Sequence, residues 1–92
     1  MKVSLSKEAS KFLESLTTKD KERIKDKLKI LVTAIEETGS IPFKELDIKT
    51  LKGDWKDWQR MRLGKIRIIF SVQPDELQIG EIDFRGDIYK KR

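Results

Sequence analysis

The first sixteen residues show two hydrophobic periods in succession. "KVSL" has apolar residues at every second position, which predicts a short strand with Val3 and Leu5 on one face. Ser6 follows in the position of a helix N-cap. Behind it, apolar residues recur at the spacing of one helix face: they are Ala9, Phe12, Leu13 and Leu16. The pattern therefore predicts a strand followed directly by an amphipathic helix.

A second, longer helix is predicted after the polar break "TTKD". Thr17 and Asp20 have capping-box spacing, with Asp in the place of the usual Glu. The apolar stripe that follows ends at Gly39, a residue type that commonly terminates helices. Its members are Ile24, Leu28, Leu31 and Ile35. Two helices joined by so short a break predict an αα-hairpin.

Residues 40–53, "SIPFKELDIKTLKG", predict a connector because they contain Pro42 and Gly53. A connector of this length needs anchors on the core, and its apolar residues can supply them. We expect these anchors to be Phe43, Leu46, Ile48 and Leu51.

Three strand-like runs follow, at about 56–63, 65–72 and 77–84. "LGKI" places Gly64 at the first central position of a two-residue hairpin turn, which is typical of type II′. "QPDE" predicts the second turn. Two helices followed by an antiparallel meander predict an α+β fold, with the helices on one face of a four-stranded sheet. We expect residues 1–92 to form a single domain.

The glycine turn fixes the register of the first hairpin, because Leu63 must then pair with Ile66. The face toward the helices would carry Met61, Leu63, Ile66, Ile68, Phe70 and Val72. The opposite face, which we call the arginine face, would carry Trp58, Arg60, Arg62, Arg67 and Ile69. Arg62 would lie opposite Arg67, and like charges in that arrangement weaken a sheet by about a few tenths of a kcal/mol.

The last predicted strand has an irregular alternation. Leu77 and Ile79 face the core, so strict alternation would bring Glu81 into it. A β-bulge at Gly80 and Glu81 would return the next apolar residues to the core; these are Ile82 and Phe84. The arginine face would then receive Asp83 and Arg85, with Tyr89 just past the strand.

The amino-acid composition limits the partners and the kinds of catalysis that are open to this chain. Of the 92 residues, 40% are charged and 37% hydrophobic, and the formal net charge of +5 favours a polyanionic partner such as nucleic acid. Histidine and cysteine are absent, which excludes disulfides, thiolate metal sites and cysteine nucleophiles, and removes the commonest acid–base residue. Catalysis would have to use Arg, Lys, Tyr and carboxylates, and we expect no metal and no cofactor. No apolar run approaches a membrane span, so we expect a cytoplasmic protein.

The arginine face has two interpretations at this point. Arginines face solvent on most sheets, and Asp83 or Asp87 could neutralise them. Alternatively the converging arginines form an anion site, because guanidinium groups bind phosphate in two-pronged fashion and remain charged. Trp55 and Trp58 fit either base stacking or packing, and Tyr89 either joins the site or covers the edge of the core.

Two patterns lie along this face: "KG…W-x-R-x-R-L-G-x-x-R-I-I-F" and, near the C-terminus, "R-G-D-I-Y". In order and spacing they resemble the RelE/ParE superfamily of type II toxin–antitoxin toxins, whose common form is a Tyr-Arg-x-Arg-Val-Gly-x-Tyr-Arg hairpin and a His-Arg-x-x-x-Tyr ending. The resemblance covers the whole chain. "ELDIKTLKG" before the hairpin is most similar to the RelE branch. It implies the RelE-like microbial RNase fold.

The resemblance also implies an activity. RelE-like toxins enter the ribosomal A site and cleave mRNA without a metal: the 2′-hydroxyl attacks its own 3′-phosphate, leaving a 2′,3′-cyclic phosphate and a free 5′-hydroxyl. By analogy Arg67 binds the scissile phosphate, and Tyr89 orients the 2′-hydroxyl or takes its proton. Arg85 stabilises charge or protonates the leaving oxygen; free arginine is a poor acid, which favours the electrostatic role. The implied RNA-binding residues are Arg60, Arg62, Lys65, Lys52 and Lys56.

The sequence departs from the family pattern at three positions, and two alternatives stay open. Ile66 replaces the tyrosine before Arg67, Trp58 replaces the tyrosine that opens the strand, and Phe84 replaces the histidine before Arg85. One alternative is a ParE-like toxin of the same fold that inhibits DNA gyrase. The other is a catalytically inactive homologue that serves as an antitoxin-binding co-repressor.

The expected partners follow from the resemblance and from the charge. They are a cognate RelB-like antitoxin, mRNA and ribosomal RNA in the A site, and operator DNA only through the antitoxin, with no membrane. A basic concave face suits an acidic or amphipathic segment that folds on binding.

Overall fold

A computed structural model describes residues 1–84 of the chain. In chain order the elements are β1 (Lys2–Leu5), α1 (Lys7–Glu14), α2 (Thr18–Thr38), β2 (Ile48–Thr50), a short 3₁₀ helix (Gly53–Trp55), β3 (Gln59–Leu63), β4 (Ile66–Gln73) and β5 (Glu76–Phe84). The sheet order is β1-β5-β4-β3-β2, with β1 parallel to β5 and the other neighbours antiparallel. The predicted α+β class is confirmed.

Both helices begin at the predicted caps. The Ser6 hydroxyl accepts a hydrogen bond from the Ala9 N–H (3.1 Å) and donates one to the carbonyl of Gly80 (2.7 Å), so the cap also ties α1 to β5. The Thr17 hydroxyl accepts from the Asp20 N–H at 3.2 Å. Helix α2 ends at Gly39, whose φ of 74° is in the left-handed region that glycine adopts at low cost. In the described part of the chain, neither helix combines the length and apolarity that a membrane span requires.

The connector forms a fifth strand that the sequence analysis did not predict. β2 pairs antiparallel with β3, so that Ile48 lies opposite Met61, and the sheet has five strands rather than the four expected. Leu46 and Ile48 are buried, as predicted. Phe43 is not an anchor: it opens the turn over residues 43–47, and 42% of its surface is exposed.

The predicted register of the β3–β4 hairpin is confirmed. Leu63 pairs with Ile66 across the turn, and Gly64 has a φ of 56°. The predicted bulge in β5 is also confirmed, because Ile69 pairs with Glu81 whereas the next residue, Phe70, pairs with Ile79. Gly80 is the additional residue. It restores the alternation, so that Ile79 before the bulge and Ile82 after it both reach the core.

The core lies between the helices and one face of the sheet. Its fully or almost fully buried members are Ala9, Ile24, Leu31, Leu46, Ile48, Met61, Leu63, Ile66, Ile68, Phe70, Leu77, Ile79 and Ile82. Phe84 reaches the helix side as predicted and packs edge-to-face on Phe12, with ring centroids 5.1 Å apart. It lies at the rim of the core, however, with 43% of its surface exposed.

Candidate functional site

Two cross-strand rows of side chains form the arginine face. The register aligns one row as Lys49, Arg60, Ile69 and Glu81, and the other as Arg62, Arg67 and Asp83. The predicted opposition of Arg62 and Arg67 is thus present, and the bulge brings Asp83 into register with Arg67. Each row is basic on β3 and ends in a carboxylate on β5. The sheet therefore places positive charge at its centre and bounds it with acid on one side.

Asp47 bounds the same charge on the other side. The Arg62 Nε donates to Asp47 Oδ2 at 2.9 Å, and the Arg62 Nη2 donates to Oδ1 at 3.4 Å. Nη1 of Arg60 lies 4.0 Å from Oδ1. The hydrogen bond from Arg62 is the main reason that the pKa of Asp47 lies below its ordinary value; partial desolvation opposes it, and the charges of Arg62, Arg60 and Lys49 add to it. Asp47 is therefore an anion bound to the arginine pair.

Sequence reasoning missed Asp47. The signal was an acid directly before the β-branched start of "DIKT", but its partner could be recognised only by knowing that this stretch pairs with β3. Pairing places Ile48 opposite Met61, which brings the preceding residue beside Arg62. The contact thus depends on the strand that the sequence analysis did not predict.

Arg60, Arg62 and Arg67 of the arginine face differ in exposure. Arg60 has only 5% of its surface exposed, the Arg62 side chain has 35%, and Arg67 is half-buried. Arg60 is therefore not part of a fully solvated charged surface. An anion approaching this face would meet Arg62 first, because Nε and Nη1 of Arg67 are buried and Arg60 is almost fully enclosed.

Trp58 packs on the bulge. A methyl group placed on Gly80 would come within 2.8 Å of Trp58 Cζ3, so the indole lies directly against the glycine backbone. Trp55 meets Trp58 edge-to-face, with ring centroids 5.9 Å apart. Of the two interpretations of Trp58, the structure displays the packing contact. Only a residue without a side chain lets the indole lie so close to β5.

The lysines of the predicted set lie at the margins. Lys52 and Lys56 flank the 3₁₀ helix and are exposed. Lys65 is exposed in the hairpin turn, where it lines a small depression together with Asp20 and Arg23. Within residues 1–84 no group of acidic side chains is arranged to hold a metal ion. Arg85 and Tyr89, which were predicted to be catalytic, and Asp87 lie outside the described residues.

Comparison with known proteins identifies the fold through structure. No protein-family model matches the chain, and no curated protein matches it by sequence. The chain is similar to the archaeal RelE–RelB complex from Pyrococcus horikoshii OT3, with 28% identity, coverage of 94% of this chain and 96% of that one, and a TM-score of 0.72. It is also similar to the RelB–RelE antitoxin–toxin complex from Methanococcus jannaschii (24% identity, 96% of each chain, TM-score 0.67). A third similar structure is the YoeB/ParE toxin from Agrobacterium tumefaciens (21% identity, 92% of this chain and 99% of that one, TM-score 0.66). The chain therefore has the RelE/ParE-type fold of toxin–antitoxin toxins.

Proposed function

We propose that the chain is the toxin of a type II toxin–antitoxin module and acts as a metal-independent, ribosome-dependent mRNA endoribonuclease. The observation that carries the proposal is the direct opposition of Arg62 and Arg67 on one sheet face. Such a pair weakens the sheet by itself. A polyanion that bridges the two strands would offset this repulsion further, beyond the contact of Arg62 with Asp47, and the similar structures include RelE proteins in complex with RelB.

In the proposed reaction the 2′-oxygen of the mRNA forms a bond to the adjacent phosphorus as the bond to the 5′-oxygen breaks. The 2′-hydroxyl loses a proton and the leaving 5′-oxygen gains one, so that the products are a 2′,3′-cyclic phosphate and a 5′-hydroxyl. In the transition state, negative charge builds up on the non-bridging oxygens of the phosphate. Arg62 and Arg67 hold those oxygens, and their fixed charges stabilise the transition state more than the ground state.

We assign the stabilisation of the leaving oxygen and the handling of the 2′-hydroxyl to two residues outside the described part of the chain. Arg85 stabilises charge on the leaving oxygen, and Tyr89 orients the 2′-hydroxyl or accepts its proton. Catalysis by positioning and electrostatics is the chemistry open to a sequence without histidine or cysteine.

Exposed lysines supply affinity without chemistry in this proposal. Lys52, Lys56 and Lys65 contact phosphates of mRNA or ribosomal RNA around the arginine face. Binding through phosphates releases counterions, so the affinity for ribosomes should fall steeply as salt rises.

The test is to express the chain from a tightly controlled promoter and map new 5′ ends on cellular mRNA. We expect ends within codons of translated messages. Arg67→Ala should reduce their yield by about 10²–10³-fold, the usual effect of removing one preorganised donor. Lys27→Ala is the matched control, because it removes the same charge from an exposed position on α2, and it should cleave like the wild type.

Other results would overturn the proposal. Unchanged cleavage by Arg67→Ala would refute the mechanism. Growth arrest without new 5′ ends, together with loss of supercoiling activity, would indicate a gyrase inhibitor instead. Harmless expression with antitoxin and operator binding retained would indicate an inactive co-repressor, as the replacements Ile66 and Phe84 would then explain.

For the antitoxin, we propose a docking site in the groove beside β1, an edge strand of the sheet. The groove encloses about 420 Å³. Its walls are apolar apart from Lys25, Lys29 and Thr33; the other lining residues are Val3, Leu5, Leu13, Ile24, Leu28, Val32 and Ile82. An apolar groove beside two lysines suits an amphipathic segment with an acidic flank. The RelB partners named for the similar structures are consistent with such an occupant.

Charge reversal tests this docking site. Lys25→Glu/Lys29→Glu should weaken binding of the cognate antitoxin by about tenfold or more, because like charges then meet across the interface. Cleavage of mRNA should persist, since neither lysine lies on the arginine face. Lys19→Glu/Lys27→Glu makes the same charge change at exposed positions of the same helix and should bind normally. Equal affinity for both double variants would place the antitoxin elsewhere.

A further inference from the structure

Asp47 holds Arg62 through three contacts at once. Its carboxylate accepts hydrogen bonds from Nε and Nη2 of Arg62 at 2.9 and 3.4 Å, and its main-chain oxygen accepts one from the Arg62 N–H at 3.3 Å. We propose that Asp47 is a positioning residue for RNA cleavage: it fixes the guanidinium of Arg62 in the orientation that receives a phosphate of the mRNA. This inference rests on the proposed function.

The need for such a residue follows from the register. Arg62 lies directly opposite Arg67, and two like charges in that position drive long side chains apart. A phosphate can be held by both groups only if they stay together before it arrives. A carboxylate on the outer side of Arg62 offsets the electrostatic cost of placing its charge opposite Arg67, and it limits the rotamers of a flexible side chain.

The geometry leaves Arg62 able to bind a second anion. A guanidinium has donors along two edges, Nε/Nη2 and Nη1/Nη2. Asp47 occupies the first edge, as the two hydrogen bonds show. The Nη1 side is then the edge for an incoming phosphate oxygen. Arg62 can therefore contact a structural carboxylate and a substrate phosphate together, and the carboxylate need not leave.

Asp47 is itself held firmly enough for this role. It has a φ of 52°, a left-handed conformation that Asp and Asn tolerate better than most residues. Directly after it, Ile48 is buried and paired with Met61 of β3. The carboxylate is thus fixed to the same strand pair that carries Arg62, although its own side chain is about half exposed, at 51%.

Asp47 could instead compete with the RNA for the arginines, and the experiment must distinguish this role from positioning. Asp47 could be a stand-in for phosphate that occupies the arginines and must be displaced by RNA. Removing its charge would then strengthen RNA binding and speed cleavage. A positioning residue predicts slower cleavage. The two roles therefore differ in the sign of the effect.

The experiment compares the purified wild type with Asp47→Asn and Glu45→Gln on ribosomes that carry a defined mRNA, under single-turnover conditions with protein in excess. Asn keeps the shape and suits the positive φ. Glu45→Gln removes the same charge two residues earlier, from an exposed side chain. We expect Asp47→Asn to lower the maximal cleavage rate by about tenfold, as misplacement of a catalytic group does, with little change in the half-saturating protein concentration. Glu45→Gln should resemble the wild type.

A second readout observes Arg62 itself. Hydrogen exchange of its Nε–H, followed by NMR in the purified protein without ribosomes, should be slow in the wild type and in Glu45→Gln and fast in Asp47→Asn. In addition, Arg62→Ala and the double variant Asp47→Asn/Arg62→Ala should cleave at equal rates, because Asp47 acts through Arg62.

The remaining outcomes separate a failure of the positioning role from a failure of the proposed function. Faster cleavage by Asp47→Asn, an unchanged rate, or fast Nε–H exchange already in the wild type would overturn the positioning role and leave the nuclease intact. No cleavage by the wild type would overturn the proposed function, whatever the exchange data show, and the positioning role would fall with it.

Discussion

The two faces of the β3–β4 hairpin consist of alternate residues of the same strands, yet different forces hold them. On the helix side Met61, Ile68 and Phe70 have no exposed surface and are stabilised by burial alone. On the other side Arg62 and Arg67 oppose each other, with Asp47 bound to one and Asp83 in register with the other. A change on the first face should therefore cost more stability than a change on the second. Three predictions test this division.

The largest effect is expected in the core. Phe70→Ala should lower the free energy of unfolding by about 3–5 kcal/mol, because it removes a fully buried ring and leaves a cavity. Urea denaturation measures the loss. Phe43→Ala is the control, since that ring is 42% exposed, and it should cost about 1 kcal/mol or less. Similar losses for the two variants would show that Phe70 is not the anchor that the core suggests.

A smaller effect is expected where the two faces are linked, at the bulge. Gly80→Ala puts a methyl group within 2.8 Å of Trp58 and should destabilise the protein by about 1–3 kcal/mol, the usual cost of overpacking. Because the strain comes from the indole, the same substitution should cost much less in a Trp58→Ala background. Denaturation of the four proteins in this cycle gives the coupling, and additive losses would contradict the proposed contact.

The smallest effect is a pH dependence on the arginine face. The folded-state pKa of Asp47 lies below its ordinary value of 3.8, mainly through the hydrogen bond from Arg62. A lowered pKa stabilises the folded state above pH 3.8, and that contribution disappears as pH falls through the folded pKa. The stability difference between wild type and Asp47→Asn should therefore be constant at neutral pH and shrink below about pH 4. A difference that grew on acidification would contradict the ion pair.

Much of the fold could be predicted from residues that are neighbours in sequence or that pair across one hairpin. Gly64 fixed a turn, the turn fixed a register, and the register placed Arg62 opposite Arg67. The bulge at Gly80 followed because strict alternation would have buried an acid. Each of these steps needed only neighbours along the chain or directly across one hairpin.

The features that escaped prediction depend on distant contacts. β2 has only three residues and no alternation of its own, so pairing with β3 defines it. The contact of Asp47 with Arg62 follows from that pairing and from nothing in the local pattern. For the candidate site, the sequence therefore predicted the cations but not the carboxylate bound to them.

The parallel pairing of β1 with β5 has a consequence for biosynthesis. Lys2 is in register with Glu76, and Leu5 with Ile79, so β1 pairs with a strand that is synthesised much later than β1 itself. Chains emerge from the ribosome N-terminus first, and such long-range pairing is slow to form. Until Glu76–Phe84 has emerged, β4 also lacks its partner, and Asp83 has not come into register with Arg67. A nascent chain would therefore bring Asp83 beside Arg67 only after Glu76–Phe84 had left the exit tunnel.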